Sequence, residues 1–504
     1  MSALLFLPVL LPLGTALLAF LFRASTRVQH VISIAGSLSL LGISIAVLGA
    51  VHGGEILSLQ IGGWQAPFGI SFVADTFSAL MLVLSAVIAV AISVYVTDAI
   101  DVQRIRFGFI PLLHTLLMGV NGAFLTGDMF NLYVWFEVML IASFVLLVLG
   151  GEKAQFAGAV KYVTVNLLAS VLFLIGAGIL YGKTGTLNFA DLASKLAADP
   201  DSTMVNTTAI LFIAAFGIKA ALFPFFFWLP DSYHVPPVAV TALFAGLLTK
   251  VGVYAFLRTF TLIFVHDNAF TQPLFAVLAG LTMILGVLGA VAQGEMKRLL
   301  SFHIVSQIGY AMMGLAVFTA LAVSGAIYFT LHVAIAKAAL FLIAGYVARM
   351  RGSTVLAELG GMLRDSRTVS VLFLIGALSL AGLPPFSGFF AKFALVKAGL
   401  LAGDYGIVTV ALLVSMFTLF SMTKIWGQVF WKARPAASGQ AGAALPPAPS
   451  AGTAVAYLLP AGFLVAVSVL MGLAAEPVFE MTTRAAEQLL QPETYIQTVL
   501  GGRP

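Results

Sequence analysis

The chain has 504 residues, of which 61% are hydrophobic and only 9% charged. Soluble domains carry about 25% charged residues, so a soluble globular architecture is excluded and the chain reads as an all-α integral membrane protein. It has no cysteine, hence no disulfide and no thiolate to hold an iron–sulfur cluster, and no His spacing typical of zinc sites; this argues against redox chemistry, a cofactor or a metal centre, and against an enzyme. The formal net charge of +5 gives no ground for a nucleic-acid partner, because in a membrane protein the placement of Lys and Arg means more than their sum.

In chain order, apolar runs long enough to cross a hydrocarbon core of about 30 Å lie at residues 4–22, 31–50, 77–96, 107–125, 129–149, 162–180 and 208–228. They continue at 238–256, 274–292, 299–318, 323–347, 369–396, 407–430 and 455–471. The first lacks a basic leader and reads as a retained helix rather than a signal peptide. Barrel strands would alternate over about ten residues and these runs do not, so about fourteen helices are expected.

One set of loops carries Arg23, Arg27, Arg104, Arg106, Lys153, Lys297, Arg298, Arg349, Arg351, Arg364, Arg367, Lys432 and Arg434; the other carries Lys183, Lys195, Arg258, Arg484 and Arg503. Cytoplasmic loops collect Lys and Arg, which predicts that the first set is cytoplasmic and both termini extracytoplasmic. Residues 1–475 are expected to form one polytopic membrane domain. The stretch "ARPAASGQAGAALPPAPSAG", 433–452, reads as a flexible cytoplasmic linker between the thirteenth and fourteenth spans. Residues 476–504 form a short tail, either with an amphipathic interfacial helix before Pro492 or without fixed structure.

Within the runs, Lys161, Lys397 and Lys424 lie near span ends, where a long side chain reaches the interface. Glu137, Lys219, Lys250, Lys337 and Lys392 lie deep. Each deep charge costs about 2.5–3.5 kcal/mol on insertion scales, and one acid does not neutralise four bases, so static pairing explains the set poorly. Desolvation disfavours the ammonium, which lets a buried lysine release its proton near neutral pH, while a carboxylate close by holds the proton on. Glu137 in this reading gates a lysine. Its own helix offers only Tyr133, four residues back, so the lysine must come from another helix.

Two spans are interrupted beside such lysines. Pro224 follows Lys219 by five positions and in a helix would collide with the carbonyl of Ala220. In "SLAGLPPFSGFFAKFALVKAG", Pro384, Pro385 and Gly388 interrupt the span that holds Lys392. Interrupted spans in corresponding positions point to a transporter's ion path, and the seventh and twelfth spans are five apart, as two inverted five-helix repeats would place them. His332 titrates near neutrality and is a candidate relay, although packing alone equally accounts for it. It lies five residues before Lys337, about 140° round an ideal helix, so the two face different neighbours.

The stretches "TGDMFNLYVWFEVMLIASFVLLVLGG", "FGIKAALFPFFFWLPDSYHVPPVAVTALFAGLLTKVGVYAFLRTF", "LHVAIAKAALF" and "LAGLPPFSGFFAKF" together resemble the antiporter-like subunits shared by Mrp-type multisubunit cation/proton antiporters and respiratory complex I. In length and in its short tail the chain looks most like the D-type branch of that family. It lacks the long lateral helix of the largest complex I relative and the large C-terminal extension of the Mrp A branch. The resemblance implies fourteen helices with the seventh and twelfth broken, and partner subunits in the bilayer of a bacterial cell membrane. It implies a key pair, Glu137 and Lys219, with Lys250, Lys337 and Lys392 forming a hydrated line. Some complex I relatives carry an acid in the broken twelfth helix where this chain has Lys392.

The function this implies is proton translocation within a sodium/proton antiporter driven by the proton-motive force. Two alternatives stay open: a proton-pumping subunit of complex I or a membrane-bound hydrogenase, and a stand-alone transporter of an organic anion. Sodium needs several oxygen ligands, and one deep carboxylate does not supply them, so protons are placed here and sodium is not.

Overall fold

The computed structural model describes residues 2–198, 202–434 and 451–501; most of the expected linker, 435–450, lies outside the described residues. A chain in hydrocarbon has no water to satisfy its backbone, so each crossing segment closes its hydrogen bonds within a helix. The long helices in order are α1 (Leu7–Leu21), α2 (Thr26–Ala50), α3 (Thr76–Ala99), α4 (Phe109–Leu125), α5 (Met129–Val148), α6 (Lys153–Thr184) and α7 (Ser202–Ala220). There follow α8 (Val238–Leu262), with a π-helical stretch at Phe244–Leu248, then α9 (Asn268–Ala292), α10 (Met296–Val317) and α11 (Ala320–Arg351). The series ends with α12 (Arg367–Ala381), α13 (Ser387–Ala402), α14 (Tyr405–Ile425), α15 (Ala451–Leu473), α16 (Ala475–Leu490) and α17 (Glu493–Leu500).

All fourteen expected apolar runs fall on helical segments, and twelve of these, among the described residues, are long and apolar enough to cross a membrane. Side-chain caps start several of them. Ser25, Asp75, Asp128 and Thr319 each accept a hydrogen bond from a backbone N–H three residues on, satisfying a donor that the first turn leaves open. A small antiparallel hairpin, β1 (Leu57–Gln60) on β2 (Ser71–Ala74), interrupts the helical pattern between α2 and α3. The tail is helical as well. Through Thr482, Ala485, Ala486 and Leu489, α16 buries one face, and it packs on α11 and α3.

Two halves of the molecule share local architecture. Residues 127–129 bond to 187–189, through Met129 N–H to Leu187 C=O and Phe189 N–H to Gly127 C=O. Residues 294–296 bond in the same way to 354–356, through Met296 N–H to Thr354 C=O and Leu356 N–H to Gly294 C=O. Each bridge is followed by the helix that starts at its methionine, α5 or α10, and then by a helix of 32 residues, α6 or α11.

Both interrupted spans end their first half alike. At the seventh, Ala221 takes φ +64° and Leu222 N–H reaches the Gly217 carbonyl; at the twelfth, Gly382 takes φ +90° and Leu383 N–H reaches the Leu378 carbonyl. This left-handed ending closes open carbonyls of the last turn. The helix therefore stops at Ala220, before Pro224 could collide with that residue's carbonyl, and chain direction resumes at the short helix Trp228–Tyr233.

The burial pattern sets the site. α11 is buried along its whole apolar length and α8 and α10 nearly so, whereas α2 and α15 leave most of theirs on the surface. The helices carrying Lys250, His332 and Lys337 are thus the central ones.

Candidate functional site

Glu137 sits midway along α5, half-buried, and faces α6 and α7. The Ser170 hydroxyl, on α6, donates to its carboxylate and lies 3.2 Å from the Lys219 ammonium, which donates to it. Lys219 Nζ is 4.0 Å from Glu137 Oε1, so the acid and the base meet both directly and through one hydroxyl. The ammonium also donates to the Asn166 carbonyl at 3.4 Å and stands 5.5 Å from the centre of the Phe136 ring, a cation–π contact. Lys219 is 7% exposed. It occupies the last turn of α7, where open carbonyls favour a cation. Asp128, which caps α5 from just outside the span, has its carboxyl pushed up to about 6 by burial.

Lys250 lies on the neighbouring α8. The two helices touch at Gly252, where a Cβ would come within 2.7 Å of the Ala220 nitrogen. Its ammonium donates to the Ala245 carbonyl at 2.6 Å and to the Thr249 hydroxyl at 3.3 Å. Ala245 belongs to the π-helical stretch, where the ordinary i to i+4 ladder is displaced.

Lys337, fully buried on α11, donates to the Leu300 carbonyl of α10 at 3.2 Å. His332, one and a half turns earlier, faces the other way: its Nδ1 is 2.8 Å from the Ser387 hydroxyl at the start of α13. Ser387 in turn contacts Ser468, and Ser468 contacts Ser379. Lys392 donates to the carbonyls of Leu380 and Ala381, at 3.2 and 3.0 Å, and to the Ser415 hydroxyl at 3.0 Å, with its Nζ 4.9 Å from the centre of the Tyr310 ring. It therefore caps the C-terminal end of α12.

Of the six candidate residues, the structure brings Glu137 and Lys219 together and gives the other lysines carbonyl and hydroxyl partners. Among the described residues, Lys250, Lys337 and Lys392 form no ion pair with a carboxylate.

One assignment needs correction. Arg258, expected among the loop charges, is inside α8 and only 3% exposed, because the helix runs on to Leu262. It makes a bidentate pair with Asp75 at 2.6 and 2.9 Å, joined by Ser78 and Tyr254. Asp75 is thus a second acid inside the bundle, and a more deeply buried one than Glu137. Both terminal nitrogens of Arg258 find acceptors, and bidentate charge-assisted hydrogen bonds of this kind are strong.

Sequence reasoning also passes over Ser170. A signal exists: Asn166 and Ser170 are four apart in an otherwise apolar run, which places both on one face of α6. His303, which no motif singles out, is fully buried with Nε2 2.5 Å from the Ser421 hydroxyl. Ser387, Ser379 and Ser468 give no signal, since their meeting depends on how α12, α13 and α15 pack.

The family model described as NADH:quinone oxidoreductase/Mrp antiporter, transmembrane, matches residues 126–418. The chain is 47% identical to the D-type subunit of the Na+/H+ antiporter of Alkalihalophilus pseudofirmus, over 99% of its own length and 100% of the relative's. Among solved structures it is similar to a chain of the Mrp complex from Dietzia sp. DQ12-45-1b, with a TM-score of 0.91, 35% identity and 99% of both chains covered. It is also similar to a chain of the membrane-bound sulfane sulfur reductase, an archaeal respiratory membrane complex, with a TM-score of 0.90, 26% identity and 99% and 100% coverage.

Proposed function

Since this chain belongs to the NADH:quinone oxidoreductase/Mrp antiporter transmembrane family, we propose that it is the D-type, proton-translocating subunit of a multisubunit Na+/H+ antiporter driven by the proton-motive force. The observation that carries this reading is the Ser170-bridged pair of Glu137 and Lys219 at the broken end of α7. A hydroxyl that donates to the acid and accepts from the base can pass a proton between them: it gives its own proton to the carboxylate and takes one from the ammonium. The carboxylate stabilises the charged lysine while it is close, and desolvation favours the neutral amine when it is not.

From this pair the route continues through Lys250, Lys337, His332 and Lys392, all carried by central or interrupted helices. The chain works as a transporter subunit rather than an enzyme, in a bacterial cell membrane, with both termini outside. The matching bridges, the equal 32-residue helices and the matching helix endings support two inverted five-helix repeats, the arrangement that transporters use to alternate access.

A second reading, a pumping subunit of a respiratory complex, is favoured by the likeness to the sulfane sulfur reductase chain. Full-length identity of 47% to a D-type antiporter subunit favours the first. Partners decide between them: the chain should co-purify with small antiporter subunits and should support no sodium-driven pH change when reconstituted alone. Co-purification with redox subunits would establish the second reading instead, and antiport by the isolated chain would defeat both.

A further inference from the structure

On the Lys/Arg-rich face, two basic side chains meet at Asp231. Its Oδ2 is 2.6 Å from Lys161 Nζ, in the third turn of α6, and its Oδ1 is 3.1 Å from Arg298 in the first turn of α10. Asp231 lies on the short helix that resumes the seventh span after its break. The cluster therefore joins the two halves of the molecule across the interrupted span. None of its members is buried, with side-chain exposures of 31% for Asp231, 55% for Lys161 and 42% for Arg298, and exposed pairs contribute little to stability and open readily.

What lies beneath it gives the cluster a use. Tyr162, the residue after Lys161, lines a cavity of about 20 Å³ together with Asn166, Lys219, Trp228 and Leu248, enough for a single water. The Tyr162 and Ser143 hydroxyls are 2.6 Å apart. Trp228, three residues before Asp231, donates from its indole N–H to the Ile218 carbonyl at 3.1 Å, one residue before Lys219. A movement of the short helix that carries Asp231 thus shifts both the cavity wall and the turn that holds the lysine.

We propose that Asp231, clasped by Lys161 and Arg298, is the gate residue that closes the approach from this face to the Lys219 cavity. The inference rests on the reading of Lys219 as a proton carrier. When the clasp opens, water enters and joins the cavity to the solution outside. The water beside Lys219 breaks an O–H bond and gives that proton to the lone pair of the neutral amine, with Glu137 balancing the ammonium so formed. Each water regains a proton from the next along the chain and the outermost from a hydronium outside, so that no hydroxide is left. When the clasp closes, the cavity holds too little water to return the proton. Asp231 is a positioning residue that acts through Trp228 and the cavity, and it touches no transferred proton itself.

The test uses the assembled complex in sealed vesicles, following collapse of an imposed pH gradient with and without sodium. Asp231→Asn removes both ion pairs and should raise the sodium-independent leak about two- to thirty-fold, the range two exposed pairs cover, while Asp231→Glu keeps the parental leak. In the double variant Asp231→Asn with Glu137→Gln the leak should vanish, because its route passes through the Glu137–Lys219 pair. An unchanged leak in Asp231→Asn, or one that survives in the double variant, overturns the clasp and leaves the proton route itself standing. Full antiport by Glu137→Gln alone would instead sink the proton reading, and the clasp with it.

Discussion

The two interrupted spans are built alike but give their lysines different partners. Each first half ends on a left-handed residue and a following leucine that bonds back into the last turn, and each break has a buried lysine beside it. At the seventh span the lysine precedes the break and meets a carboxylate through Ser170; at the twelfth it follows the break and turns back onto the carbonyls of Leu380 and Ala381. A carboxylate can be neutralised or moved away, so its hold on a lysine is switchable. A backbone carbonyl is fixed, and its dipole does not change with pH. The first break is thus suited to changing a lysine's proton affinity and the second to setting it.

The largest effect expected from this contrast is at Glu137. Glu137→Gln keeps size and hydrogen bonding but not the charge, and should lower antiport by about a hundredfold or more, as the loss of a positioned proton-transfer group does. Glu137→Asp should keep part of the activity. Co-purification of partner subunits must be unchanged in both variants; assembled Glu137→Gln complex that transports at the parental rate would remove the switch from the first break. Lys392→Ala should be milder, a loss of about tenfold, equivalent to roughly 1.4 kcal/mol of barrier, because its carbonyl partners find water when the ammonium goes. Equal losses at Glu137 and Lys392 would mean that the two breaks do not divide the work in this way.

Much of this is legible in the sequence. Long apolar runs give the helices, since hydrocarbon leaves the backbone no other way to close its hydrogen bonds. Deep charges stand out against apolar neighbours, and Pro224 and Pro384 mark the breaks to within a few residues. What the sequence hides depends on meetings between helices: Ser170 matters because α6 places it between α5 and α7, and Arg258 reads as a loop residue because its apolar run ends before its helix does. The matching endings of α7 and α12 are also hidden, because one uses alanine where the other uses glycine.

That alanine and glycine give the two smaller tests. Gly382→Ala puts a Cβ on a residue at φ +90° and within 2.8 Å of Lys392 Cδ. Left-handed backbone costs an L-residue about 1–2 kcal/mol, so the variant should be destabilised by about that much. It should also lose activity as the lysine is pushed off its carbonyls, which melting of the purified complex and antiport rate would report separately. A fully stable and active Gly382→Ala would show that the second break does not set Lys392.

The converse change, Ala221→Gly, should have the smallest effect and the opposite sign. Ala221 already holds φ +64°, at a cost that glycine does not bear. Glycine also makes the unfolded chain more flexible, which takes back about 0.4–1 kcal/mol. The difference leaves a gain between zero and about 1.6 kcal/mol, read as a small upward shift in melting of the assembled complex. The informative quantity is whether transport follows stability. Strain kept at a functional turn is a means of holding two conformations near balance, and if the first break moves as Glu137 approaches and leaves Lys219, relaxing Ala221 should slow antiport even as the complex becomes more stable. Gly382 already occupies the relaxed state, in keeping with a break that does not move. An Ala221→Gly complex that melts higher and transports at the parental rate would make the alanine a mere sequence accident and return the difference between the two breaks to the position of the lysine alone.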